Sequence, residues 1–137
     1  MENPGAATRQ EARVIDPTPF ESDEPKRRVQ WARQAGQRRD ARDYAALMSL
    51  TRDPEAPVRA AAYWALDQLR VRPALDTFLR GLTDVDFFAR SNAACGLVHL
   101  GESVIPPVAA FASRTRDRDA REMAYLVLER FDAAVAA

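Results

Sequence analysis

The 137-residue sequence lacks most of the side chains from which catalytic or metal-binding chemistry is usually inferred. It contains one cysteine, Cys95, and one histidine, His99. A single cysteine excludes an internal disulfide and fits a reducing compartment. Zinc sites use more ligands than these two residues supply, so a carboxylate such as Asp67 would have to complete a site. The sequence therefore predicts no metal centre, no cofactor and no catalytic residues.

Long apolar runs and a net charge are absent as well. No segment approaches the roughly 20 apolar residues that a membrane span requires. The start of the chain, residues 1–5, has neither the basic residues nor the apolar core of a secretory signal. We therefore expect a cytoplasmic protein that has no membrane partner. The 20 Lys and Arg residues balance the 20 Asp and Glu residues, which argues against a dedicated nucleic-acid binder.

The charges that are present are unevenly distributed. Residues 1–24 carry six acidic and two basic residues, whereas residues 25–42 carry seven basic residues and one acidic residue. Because the first segment is also rich in proline and small residues, we predict a flexible acidic tail over residues 1–22. Its more apolar part, Val14–Phe20, has two interpretations. A plain linker is the commoner case, and an extended peptide that docks on this protein or on another is the alternative.

An amphipathic segment that recurs every 31 residues organises the rest of the chain. Its copies lie at residues 58–69, 89–100 and 120–131. A fixed period of this size is typical of a repeat array, and the spacing of apolar residues within each copy is that of a helix. The shared columns are Arg59, Arg90 and Arg121; Ala62, Ala93 and Ala124; Leu66, Leu97 and Leu128; and Leu69, Leu100 and Phe131.

Proline, glycine and aspartate residues between these copies predict the remaining helices. A shorter helix precedes each recurring one, which gives three helix pairs over about residues 41–70, 72–101 and 102–132. A further helix over residues 23–39 does not match the repeat, and we expect it to cap the array because terminal units are atypical. We expect residues 133–137 to fray. No strand is predicted.

Helix pairs with an Asp-containing turn, then Val-Arg or Ala-Arg, then alanines and leucines resemble HEAT repeats. The most similar type is the short bacterial one, also called phycobilisome-lyase HEAT-like repeats. The resemblance covers about residues 41–132 and implies an all-α fold, a right-handed α-solenoid. It also implies that an acid in each turn pairs with the repeated arginine along the stack. Asp53 and Asp84 match that pattern, whereas Thr115 holds the place in the third repeat and Asp117 is the nearest acid.

Such repeats mostly present surfaces to proteins, and a fold alone does not define an activity. We therefore expect a non-enzymatic adaptor or scaffold that binds another protein through the concave face of its second helices. Tyr63, Trp64 and Tyr125 are candidate anchors, since tyrosine and tryptophan are typical interface hot spots. Packing against an adjacent helix is the alternative for these aromatics. Arg59 and Arg90 lie at the rim of this face, or else tie neighbouring turns together.

Other functions remain open. The basic first helix offers candidate phosphate ligands for a nucleic-acid-associated protein, namely Arg27, Arg28, Arg38 and Arg39. No recognition-helix, RNP or zinc-finger pattern accompanies them. The resemblance to lyase repeats also raises a bilin-lyase-like enzyme or a chaperone subunit. The exposed ends of a three-repeat array favour self-association, so a homo-oligomer is a further expectation.

Overall fold

The computed structural model describes residues 19–136, apart from the side chains of Arg72 and of residues 133–136. The predicted tail therefore lies largely outside the described residues. Within them the chain is helical and contains no strand, which confirms the all-α prediction. Turns of 3-10 helix lie at Pro19–Glu21, Ala41–Asp43, Arg72–Ala74 and Glu102–Val104. The α-helices are α1 (Pro25–Arg38), α2 (Tyr44–Leu50), α3 (Ala56–Leu69), α4 (Leu75–Gly81), α5 (Phe87–Leu100), α6 (Ile105–Arg114) and α7 (Arg118–Ala136).

The four long helices α1, α3, α5 and α7 follow one register. They begin at residues 25, 56, 87 and 118, a constant interval of 31 residues. The first helix therefore belongs to the repeat series, contrary to the prediction that residues 23–39 do not match it. Of the aligned columns, α1 retains only the arginine, Arg28, while Trp31 and Ala35 replace the shared alanine and leucine. Helix α1 therefore begins where the 31-residue interval requires, but it does not carry the residue types that the other long helices share at their packing positions.

Packing follows the order of the chain. Helix α1 packs on α3, α3 on α5, and α5 on α7, while each short helix, α2, α4 or α6, packs on the long helix that follows it. The interface between α5 and α7 is less extensive than the two long-helix interfaces before it. The long helices thus form a continuous row. The last interface of this row, between α5 and α7, is the least extensive of the three.

The core lies between the long and the short helices. The predicted alanine column is fully buried at Ala62, Ala93 and Ala124, and so are Leu66 and Leu97. Burial of one such leucine side chain stabilises the fold by about 1.5–3 kcal/mol, so the repeated columns contribute directly to stability.

Residues 19–22, assigned to the tail from sequence, pack on α1. The Phe20 ring lies against the Trp31 ring, with centroids 4.9 Å apart, and Ser22 is buried. No short helix precedes α1 within residues 19–136, so Phe20 covers apolar surface that a short helix would otherwise cover. The folded domain therefore begins at or before residue 19, rather than at residue 23.

At the other end of the described residues, helix α7 extends to Ala136. It therefore includes residues 133–136, for which fraying stays a prediction, and residue 137 lies outside the described range. In the part of the chain that the structure describes, no single helix has the length and apolarity to cross a membrane. Only α5 and the segment Glu102–Arg114 meet that criterion, as a pair bent by 115°.

Candidate partner-binding site

One hydrogen-bonding pattern introduces each of the four long helices. A turn residue accepts a hydrogen bond through its side-chain oxygen from the backbone N–H two residues later. Its carbonyl oxygen accepts from the arginine six residues later. The turn residues are Ser22, Asp53, Asp84 and Thr115, at side-chain distances of 3.2, 2.9, 2.9 and 3.2 Å. The arginines are Arg28, Arg59, Arg90 and Arg121, at 2.6, 2.9, 2.9 and 2.6 Å from those carbonyl oxygens.

At two of these turns an aspartate also binds the arginine of the preceding repeat. Arg28 donates through Nε and Nη2 to Asp53 at 2.7 and 3.1 Å, and Arg59 donates to Asp84 at 2.8 and 3.1 Å. Both pairs are bidentate and largely buried. The hydrogen bonds that each guanidinium donates to the aspartate raise its pKa, so both arginines remain charged.

These pairs correct two predictions about candidate binding residues. Arg59 does not offer its guanidinium at the rim of a partner face, because Asp84 and the carbonyl oxygen of Asp53 already bind it. Arg28 is not an available phosphate ligand, because it binds Asp53 and the carbonyl oxygen of Ser22 in the same way. Both residues tie neighbouring repeats together.

Arg90 occupies the same place but lacks the carboxylate. Thr115 stands where the next aspartate is required by the 31-residue register. Arg90 donates through Nη1 to the carbonyl oxygens of Asp84 and Val85, whereas its Nε is buried and has no hydrogen-bond partner within the described residues. Arg90 is half-buried, and its guanidinium lies over the ring of the exposed Phe87, 5.8 Å from the centroid, so its place near the partner rim stays a prediction.

The structure separates the three aromatic candidates. Tyr63 is only 2% exposed, so it belongs to the core and is not a surface anchor. Its ring lies against Gly81 and the adjacent Ala93 of the next repeat, and a Cβ atom on Gly81 would come within 2.8 Å of that ring. Tyr125 occupies the same position in α7 but is 49% exposed, because no further repeat follows it in the described residues. Trp64 is half-buried.

Trp64 lines a groove of about 580 Å³ that crosses α1, α3 and α5. Its apolar walls are the rings of Trp64 and Phe88, and its polar groups include Arg33 at one side. Asn92 is held in place because its Nδ2 donates to the carbonyl oxygen of Ala60 at 2.8 Å. The groove is lined by Arg33, Gln37, Pro57, Ala60, Ala61, Trp64, Asp86, Phe88 and Asn92.

An aromatic ridge, Phe87 and Phe88, forms one wall of this groove and of a second one. Phe87 is 56% exposed and Phe88 is 68% exposed, and their rings meet edge to face at 5.6 Å. Phe87 lines a groove of about 510 Å³ between α5 and α7, together with Leu126. Val85, in the turn before the ridge, is 89% exposed. The most exposed large apolar side chains thus gather around the start of α5.

The candidate anchors predicted from the sequence do not include this ridge, although the sequence carries a signal for it. Position 88 corresponds by register to Pro57 and Asp119 in the neighbouring long helices, and position 87 corresponds to Ala56 and Arg118. No repeat column requires an aromatic residue there. Two adjacent exposed phenylalanines that the fold does not need therefore point to a surface function.

The four candidate phosphate ligands do not form one exposed cluster. Arg28 is bound to Asp53, Arg38 pairs with Asp43 at 3.0 Å and lies over the Trp31 ring, and Arg39 lies 3.5 Å from Gln68 Oε1. Arg28, Arg38 and Arg39 thus contact groups of the chain itself, whereas Arg27 is exposed.

The sole cysteine of the sequence, Cys95, and its sole histidine, His99, both line the groove between α5 and α7. His99 Nδ1 lies 2.8 Å from Asp67 Oδ1, so this contact joins α5 to α3. Cys95 is exposed. Within the described residues, no group of three or more His, Cys, Asp or Glu side chains is arranged to hold a metal ion.

No model of a known protein family and no curated protein matches this chain.

Proposed function

We propose that this protein is a short right-handed α-solenoid of the HEAT type that acts as a cytoplasmic, non-enzymatic adaptor. It would bind another protein through the exposed face of its long helices. The common register of these helices and the arginine pairs between repeats support the repeat architecture. The observation that carries the function is the exposed aromatic ridge between two grooves.

The ridge supplies the kind of surface that dominates binding energy. Aromatic side chains bury large areas, and a few such residues often account for most of the affinity of an interface. Phe88 and Trp64 line the same groove, and Phe87 and Leu126 line the other. A partner that covers the ridge would therefore enter both grooves at once.

The chemistry of the grooves limits the type of partner. Both are lined mainly by apolar atoms, and Arg33 is an exposed cation at the side of the first groove. We expect a protein segment that carries apolar side chains to fill the grooves and an acidic residue opposite Arg33. Rim charges of this kind contribute to orientation and association rate more than to affinity.

The proposal is tested with the double substitution Phe87→Ser and Phe88→Ser. The full-length wild-type protein and the variant are used to capture partners from the native host, with nuclease added. Affinity is then measured for each purified partner. Loss of one hot-spot contact costs about 2 kcal/mol or more, so the variant should bind at least about 30-fold more weakly.

A matched control is Ala109→Ser with Ala110→Ser, which changes two adjacent exposed apolar residues on the short helix α6. This control should bind like the wild type. Equal affinity of the ridge variant and the control would contradict the proposal. A partner set that nuclease abolishes would favour the nucleic-acid alternative instead.

A further inference from the structure

The joint between α5 and α7 differs from the two earlier joints of the row. It has no arginine–carboxylate pair, although it has the arginine, and its helices pack less extensively. The groove of about 510 Å³ lies at this joint. This joint therefore differs chemically from the two earlier joints because it lacks the aspartate carboxylate that each of them has.

Thr115 occupies the place of that missing group. Its Oγ1 accepts from the backbone N–H of Asp117 at 3.2 Å, as Asp84 Oδ1 accepts from Asp86 at 2.9 Å. Its carbonyl oxygen accepts from Arg121, as that of Asp84 accepts from Arg90. The side chain of Thr115 is thus oriented as the two aspartates are, but it ends in a hydroxyl.

Arg90 supplies the opposite half of the arrangement. Arg28 and Arg59 use Nε and Nη2 to bind the carboxylate 25 residues later, and residue 115 lies at that interval from Arg90. A buried guanidinium N–H without an acceptor is costly. Arg90 Nε is buried, so it is not presented to an acidic side chain of a partner, and the 25-residue interval of the other two pairs assigns its acceptor to the turn at residue 115. A group carried by Thr115 is already at that turn.

We propose that Thr115 is a phosphorylation site and that Arg90 is the receptor for its phosphate. A protein kinase would transfer the phosphoryl group from a nucleoside triphosphate. The Thr115 oxygen bonds to the γ-phosphorus, the bond from that phosphorus to the nucleoside diphosphate breaks, and the hydroxyl proton passes to a base of the kinase. The turn is accessible to such an enzyme, because Arg114 and Arg116 on either side of Thr115 are exposed.

The phosphate would do what the aspartates do at the other joints. Its oxygens accept from the Nε and Nη2 of Arg90, and the start of α7 adds the favourable field of a helix N-terminus. The modification thereby fixes α7 against α5 and sets the width of the groove between them. This inference bears on the proposed partner surface, because Phe87 lines the same groove and its ring lies against the Arg90 guanidinium, but it is tested without a partner.

The first experiment measures the effect of the phosphate on the purified full-length protein. Phosphothreonine is installed at position 115 by genetic encoding, and at Thr83 as a matched control, since Thr83 is an exposed threonine of the preceding turn. The thermal unfolding midpoint should rise by about 3–6 °C with phosphate at 115 and not with phosphate at 83. In an Arg90→Gln background the rise should disappear.

A second readout is the phosphorus NMR titration of both phosphoproteins, which does not depend on unfolding. Contact with Arg90 should lower the apparent pKa of the phosphate at 115 relative to the phosphate at 83. Equal titration midpoints, or a rise in the unfolding midpoint that persists in the Arg90→Gln background, would overturn Arg90 as receptor.

The site itself is tested by mass spectrometry of the protein isolated from growing and from stressed cells of its host. A phosphopeptide that contains phosphate at Thr115, and is absent from a Thr115→Val strain, supports the proposal. Protein without phosphate at residue 115 under both conditions overturns it.

Discussion

At the scale of single residues, the same repeat position serves different purposes in different copies. The arginine at the start of each long helix is satisfied where an aspartate follows it, as at Arg28 and Arg59, and is left with a buried unpaired Nε at Arg90. The aromatic residue shared by α3 and α7 is core at Tyr63 and surface at Tyr125. An aspartate in the next turn decides whether the arginine is paired, and a following repeat decides whether the tyrosine is buried.

The unpaired arginine predicts a stabilising substitution. Thr115→Asp should complete the third arginine–aspartate pair and raise the free energy of unfolding by about 1.5–3 kcal/mol, the range for hydrogen bonds to charged groups. Urea unfolding checks this result. Thr83→Asp is the control, because residue 83 is an exposed turn position that does not lie at the 25-residue interval from Arg90. Equal or lower stability of Thr115→Asp would show that the turn cannot place the carboxylate.

The buried phenol of Tyr63 predicts a loss of stability at alkaline pH. Burial raises the pKa of Tyr63 above its ordinary value of 10.0. Between that value and the raised one, the unfolded chain has lost the proton and the folded chain retains it, so the free energy of unfolding falls as pH rises. Tyr63→Phe removes this contribution. Urea unfolding at about pH 9 and about pH 11 should show a smaller loss for the variant, and equal losses would contradict the argument.

At the scale of elements, the close approach of α1 and α3 depends on a residue that has no side chain. A Cβ atom at Gly36 would lie 2.5 Å from Trp64 Cζ3 and 3.0 Å from the Ala65 Cα atom. The helices therefore pack over this position at a distance that any larger residue would increase.

Gly36→Ala should consequently destabilise the protein by about 1–3 kcal/mol, despite the higher helix propensity of alanine. Gln34→Ala, at an exposed position of the same helix, is the control and should be neutral or slightly stabilising. Thermal unfolding distinguishes the two. A Gly36→Ala variant that is as stable as the control would mean that α1 does not pack closely on α3.

The elements also show what the sequence could and could not predict. The 31-residue period identified α3, α5 and α7, because repeated arginine, alanine and leucine columns must be buried in each copy. It failed for α1, where Trp31 replaces the packing alanine and Phe20 covers the ring, so only Arg28 was left to align. The ridge was missed because it obeys no period, and Tyr63 was misplaced because Gly81, which makes room for it, is distant in sequence.

At the scale of the whole molecule, the row of long helices is not equally strong along its length. In a repeat array, stability is the sum of unit and interface contributions, so a weaker interface defines where the array opens first. The joint before α7 lacks a charged pair and packs less extensively than the others. We infer that α6 and α7 form the least protected unit.

Native-state hydrogen exchange tests this order. Amides of α6 and α7 should exchange as a group through an opening of lower free energy than those of α3 and α5. The difference in opening free energy between these two groups of amides should be smaller in the Thr115→Asp protein, because that substitution strengthens only the joint between α5 and α7. Uniform protection along the array, or an opening that begins at α1, would contradict this order.

Site-specific photocrosslinking in host cells tests whether the aromatic ridge is the surface that binds the partner protein. A photoreactive benzoylphenylalanine replaces Phe88, or Ala109 on the short-helix side, in the full-length protein inside host cells. We predict one set of crosslinked proteins from position 88 that survives nuclease treatment and is absent from position 109. Identical products from both positions, or no protein crosslinked from position 88, would contradict the account.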